Sequence, residues 1–155
     1  DKALMVNGFT AKEIQDQSKK SDREIVELFL AWAIACNNHT IAGQNPSFDQ
    51  DFIRHTALRY GIDWPLAHRS IDLHSACFLH MVERNRIPPV KKGRTDLNSD
   101  MIMEYVGIPA ESKPHKAING ALWEAEALYR LFYAKSLLPE FTKYPIPWSH
   151  SATLL

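Results

Sequence analysis

Six helical patterns follow one another along this chain, and only two short runs between them read as strands. That scarcity of strand is the tightest constraint on the fold. "FTAKEIQDQS" and "SDREIVELFLAWAIACNN" each open on a capping box, Thr10 with Glu13 and Ser21 with Glu24, and the second continues with apolar residues at helical spacing. "NPSFDQDFIRHTALRYG" predicts a helix capped by Ser47 with Gln50 and ended near Gly61. "SACFLHMVERNR" and "NSDMIMEYVGIP" follow, the latter stopping at Gly107 and Pro109, and the last helix opens at His115. The strand candidates are "HTIAG" (His39–Gly43), β-branched and stopped by glycine, and "RSIDLHS" (Arg69–Ser75). "IPPVKKGRTDLN" reads as a loop from its prolines, glycine and charge. The order predicts a helix-rich α/β layer fold. Strands joined by helical crossovers normally have more neighbours than these. An open sheet edge would then invite a second copy of the chain or a protein partner to cover it.

Length and charge narrow the function classes only a little. At 155 residues the chain is one domain by length and large enough for a real core. Eighteen basic and eighteen acidic residues cancel, so net charge points to no nucleic acid, although a local basic patch would suffice. Cys36 and Cys77 lie far apart, without a CxxC, and read as reduced core thiols. The longest apolar run, Leu28–Cys36, is too short to span a bilayer, and no secretion signal opens the chain. The expectation is a cytoplasmic protein with no membrane association. Residues 1–141 are expected to form the domain, with 142–155 as an extended tail carrying prolines.

Three side chains stand out as candidates for chemistry. In the helix beginning at Phe48, Asp49 shares a stripe with Ile53, Ala57 and Tyr60, whereas Asp51 groups with Arg54 and His55. Asp49 is either a first-turn acid complementing the helix N-terminus or an acid aimed at the strand ends, where open α/β sheets bind ligands. His115 is either a cap or surface residue or, near such acids, a general base. Glu126 has Arg130 four residues on and is expected at the surface. Glu124 instead has Gly120, Ala121, Ala127 and Leu128 as helical neighbours, with no cation among them. His74, Cys77 and His80 lie close on one helix but lack a fourth zinc ligand. "KKGR" (Lys91–Arg94) is either a solvated loop or a phosphate contact, and the four tryptophans are expected to pack.

"GQNPSFDQDFI" (Gly43–Ile53) resembles the second motif of the DEDDh class of DnaQ-like 3′–5′ exonucleases, and "PHKAINGALWEAEAL" (Pro114–Leu128) resembles the third. Order and spacing extend the similarity over roughly Asn7 to Phe141. The resemblance implies a ribonuclease H-like mixed sheet flanked by helices. It implies hydrolysis of phosphodiesters at the 3′ ends of single-stranded DNA or RNA, with two divalent ions, Mg²⁺ or Mn²⁺. By it, Asp49 is a metal ligand, His115 takes a proton from the attacking water, and Asn45 and Phe48 shape the pocket for the terminal nucleotide.

Two departures shape the expectations. The family's opening Asp-x-Glu strand is absent, since Asp22 and Glu24 belong to a capping box, so the chain is expected to be N-terminally incomplete and inert alone. The family also has an Asp five residues after the histidine, where this chain has Gly120. Glu124, one turn further, is the expected substitute as metal ligand, reaching back past the glycine. The alternative is a nuclease-like domain that has lost catalysis and serves as a nucleic-acid or protein interaction module.

Overall fold

A computed structural model of the protein describes Leu4 and residues 8–148. The elements in order are α1 (Ala11–Ile14), α2 (Asp22–Ile34), β1 (Ala42–Gly43), α3 (Pro46–Arg59), β2 (Ile71–Asp72), α4 (Leu73–Glu83), β3 (Val90–Lys91), β4 (Arg94–Thr95), α5 (Ser99–Tyr105) and α6 (Ala117–Tyr133), then a 3₁₀ turn at Pro139–Phe141. The fold is mixed α/β and helix-rich, with two small two-stranded sheets, β1 beside β2 and β3 beside β4. The chain divides into two compact units, Asp1–Ile71 and Asp72–Leu155.

In the first unit both expected capping boxes form. Thr10 and Ser21 accept the N–H groups of Glu13 and Glu24, whose carboxylates return to the cap backbone, satisfying donors that a helix start leaves orphaned. Val26, Leu30 and Ala33 then fall on one face of α2 and are buried with Ala57 and Leu66. The start of α3 differs from expectation. Pro46, not Ser47, begins the helix, and Asn45 precedes it in the left-handed region at φ 53°. Proline suits the first helical position because it has no N–H to leave unpaired. Gln50, expected to close a capping box, is instead buried, and its Nε2 donates to the Ala67 carbonyl at 2.7 Å. Within "HTIAG" only Ala42 and Gly43 are strand, while the Ile71 N–H donates to the Ile41 carbonyl at 3.0 Å.

The second unit is built on α4, α5 and α6. Leu73, Cys77 and Met81 of α4, Ile102, Met103 and Val106 at α5, and Ala127, Leu128 and Leu131 of α6 share one core with Phe141 and Trp148. Asp72 caps α4, accepting the Ser75 N–H at 2.9 Å. Part of the predicted loop at 87–98 is a hairpin: Val90 pairs with Thr95 and Lys91 with Arg94. Lys92 and Gly93, at φ 51° and 75°, form its two-residue turn, the left-handed pair that matches strand twist. Of the segment expected as an extended tail, Tyr144, Ile146 and Trp148 pack on this core, and residues 149–155 lie outside the described residues.

Candidate active site

In the first unit, Asp49 lies in the first turn of α3 and is exposed. The stripe expected to carry it inward is buried only further along, at Ala57, because the inward face begins at Pro46 and Gln50. Asp49 is thus not on the buried face, and it has the position of an acid that complements a helix N-terminus. Its carboxylate makes no hydrogen bond or ion pair among the described residues. Asn45 is exposed, and its Oδ1 accepts the Ser47 hydroxyl at 3.2 Å. Phe48, one residue before Asp49, leaves 68 % of its surface open. It lines an open groove of about 480 Å³ with Asp51, Phe52, His55, Thr56 and Arg59.

In the second unit, His115 stands two residues before the first residue of α6, with its side chain half exposed. Its Nδ1 lies 2.5 Å from Glu111 Oε2, and the other oxygen of that carboxylate accepts the Lys116 N–H at 3.0 Å. Glu111 therefore engages the histidine and caps α6, whose N-cap residue Lys116 supplies no side-chain bond of its own. Glu111 was not legible as a partner. It lies four residues before His115, but Pro109 and Pro114 interrupt any helix that would bring such a pair together.

Gly120 serves the same local arrangement. A Cβ built there would come within 3.0 Å of His115 Cε1 and 3.7 Å of its Nε2. The room over the glycine is thus taken by the imidazole, rather than left clear for Glu124 as the sequence suggested. Glu124 itself is half-buried on α6. Glu126 corrects a sequence expectation outright: it is fully buried, not at the surface, and its partner Arg130 is fully buried with it. Their bond, Arg130 Nε to Glu126 Oε1, is 2.6 Å.

The zinc candidate comes apart at its nitrogens. His80 Nδ1 contacts the Tyr105 hydroxyl at 2.7 Å, and its Nε2 accepts from Arg84 Nε at 3.1 Å. His74 Nε2 contacts Thr95 Oγ1 at 3.0 Å, while burial pushes the Cys77 thiol up to about 11, away from the thiolate that binds zinc. The tryptophans divide: Trp148 is core, Trp123 packs against the core, and Trp32 is 66 % exposed.

Divalent ions of the Mg²⁺ type need several hard oxygen donors converging on one point. Among the described residues no group of three or more His, Cys, Asp or Glu does so. Asp49 and Glu124 are two carboxylates, one in each unit, and two are too few to fix a pair of ions. The donor set among the described residues does not fit the metal pair. Among the described residues no helix is long and apolar enough to cross a membrane. The chain matches no protein-family model, no curated protein and no solved structure.

Proposed function

We propose that this protein is a 3′–5′ exonuclease of the DEDDh type, with a ribonuclease H-like fold, acting on single-stranded nucleic-acid ends. The observation that supports this most is the half-exposed imidazole of His115, engaged through one nitrogen by the Glu111 carboxylate. A general base needs that combination: access to water and a partner that orients it. The motif order supports the same reading, with "NPSFD" placing Asp49, Asn45 and Phe48 together at an exposed helix start. His115 would accept a proton from the attacking water, and the exposed ring of Phe48 is a surface on which a nucleic-acid base would stack.

A second reading, a nuclease-like interaction module without catalysis, is favoured by Gly120. An aspartate there, as the family has, would meet the His115 ring. One experiment separates the two. Protein expressed from its complete reading frame is incubated with 5′-labelled single-stranded DNA or RNA and Mg²⁺ or Mn²⁺. The exonuclease shortens the label stepwise from the 3′ end. His115→Ala slows single-turnover cleavage by about 10²–10⁴-fold and leaves metal affinity nearly unchanged. Binding of 3′ ends without metal-dependent shortening selects the interaction module, and an unchanged rate in His115→Ala removes the histidine from the mechanism.

A further inference from the structure

The geometry points to Glu111 as the positioning residue of His115, with Gly120 as the position whose missing side chain admits the imidazole ring. This rests on the reading above, in which His115 accepts a proton. The Glu111 carboxylate is largely buried, with 15 % of its side chain exposed, whereas the His115 side chain is 50 % exposed. The acid is held by the protein, and the ring is open to solvent.

Both carboxylate oxygens are engaged by consecutive residues. Oε2 meets His115 Nδ1 at 2.5 Å, and Oε1 accepts the Lys116 N–H at 3.0 Å. The backbone bond fixes the plane of the carboxylate, and that plane fixes the rotation of the ring. An ionised carboxylate can only accept, so Nδ1 carries a proton. In the neutral ring the lone pair then resides on Nε2, which becomes the basic nitrogen. Without such a partner the tautomer is unassigned and the ring is free to turn.

Gly120 completes the arrangement by size. It lies within the first turns of α6 at a helical φ, so backbone freedom is not what the position requires. Glycine is a poor helix former, and alanine would suit the helix better. Space is the reason for it: an added Cβ would sit 3.0 Å from Cε1 and 3.7 Å from both Nε2 and Glu111 Oε2. The Cε1–Nε2 edge of the ring lies over the bare backbone of the helix.

The test reads the imidazole directly. Nitrogen-15 NMR of the complete protein, at a pH where the His115 ring is neutral, reports which nitrogen bears the proton. The parent protein is expected to show Nδ1–H. Glu111→Ala, which removes both acceptors, should shift the ring toward Nε2–H. Gly120→Ala should do the same in part with Glu111 intact, because the methyl displaces the ring. In the nuclease assay Glu111→Ala should lower turnover on the order of 10²-fold through lost orientation. Loss of the α6 cap alone would alter stability but not the tautomer. A tautomer unchanged in folded Glu111→Ala overturns the positioning role, even if 3′ trimming persists. A tautomer that follows Glu111 in a protein without nuclease activity supports the positioning role and refutes the exonuclease reading instead.

Discussion

Glu126 and Arg130 are one helical turn apart on α6 and fully buried. Arg130 donates to Glu126 and to the carbonyls of Val106, Phe141 and Tyr144, at 3.1, 2.8 and 3.1 Å. Glu126 accepts in addition from the Ser136 hydroxyl and the N–H groups of Leu137 and Leu138. Charges taken out of water are tolerated only when each is paired and hydrogen-bonded throughout. Removing one partner strands the other, so Glu126→Ala should cost about 3–5 kcal/mol in urea unfolding. Burial works against the Glu126 charge and is the largest influence. The bonds from Arg130, Leu138, Ser136 and Leu137 together outweigh it and hold the carboxyl below its usual value. A depressed carboxyl stabilises the fold above its unfolded value of 4.5, and that contribution should fade as pH falls below it. His80 acts in a higher window. Burial, then the Arg84 charge, lower it from 6.5 to about 4. The unfolded chain takes up this proton first as pH falls, so up to about 3 kcal/mol should be lost between pH 6.5 and 4. Urea unfolding across that range checks the slope, which His80→Asn should flatten.

At the scale of elements, three helices stop by the same device. After α3, α4 and α5 a residue with positive φ follows the cap, Gly61, Asn85 and Gly107 respectively. The next N–H reaches back to the carbonyl of Ala57, Met81 and Met103, at 2.9, 2.8 and 2.9 Å. These bonds satisfy carbonyls that a helix end leaves unpaired. Gly107 carries a second demand. A Cβ there would come 2.7 Å from the Pro145 carbonyl oxygen and 2.8 Å from Pro147 Cδ, so the following chain crosses in contact with this turn. Gly107→Ala adds left-handed strain and a clash with backbone, and should cost about 2–4 kcal/mol by thermal or urea unfolding. Gly61 has nothing within 4 Å of its missing Cβ. Gly61→Ala therefore bears only the conformational part and should cost distinctly less.

For the molecule as a whole, the second unit draws its core from both ends of its own sequence. Leu73 and Cys77 near its start pack in one cluster with Phe141 and Trp148 near its end. Trp148 also lies 4.3 Å, ring to ring, from His80 and 5.4 Å from Tyr105. A chain ended after Phe141 loses Tyr144, Ile146 and Trp148 from that cluster, and Arg130 loses its bond to Tyr144. Deleting a buried tryptophan alone costs about 3–5 kcal/mol. The shortened protein should therefore unfold earlier and less cooperatively, by near-ultraviolet circular dichroism and denaturant titration. Unfolding indistinguishable from the parent would mean that 142–148 adds nothing to the core.

What the sequence determined by itself is local. The capping boxes at Thr10 and Ser21 and the helix ends at Gly61 and Gly107 involve groups a few residues apart, so residue type and spacing specify them. The same locality failed at Lys92–Gly93, where the turn pair was present but hidden among prolines and charges that read as loop. Tertiary structure decided the rest. Whether the Glu126–Arg130 pair faces water or core depends on Val106, Phe141 and Tyr144, which no helical spacing connects to α6. Whether Gly120 serves Glu124 or His115 depends on how the 109–114 segment folds back to bring Glu111 to the ring. A side chain's direction follows from its own helix, but its burial and its partner are fixed by chain that arrives from elsewhere.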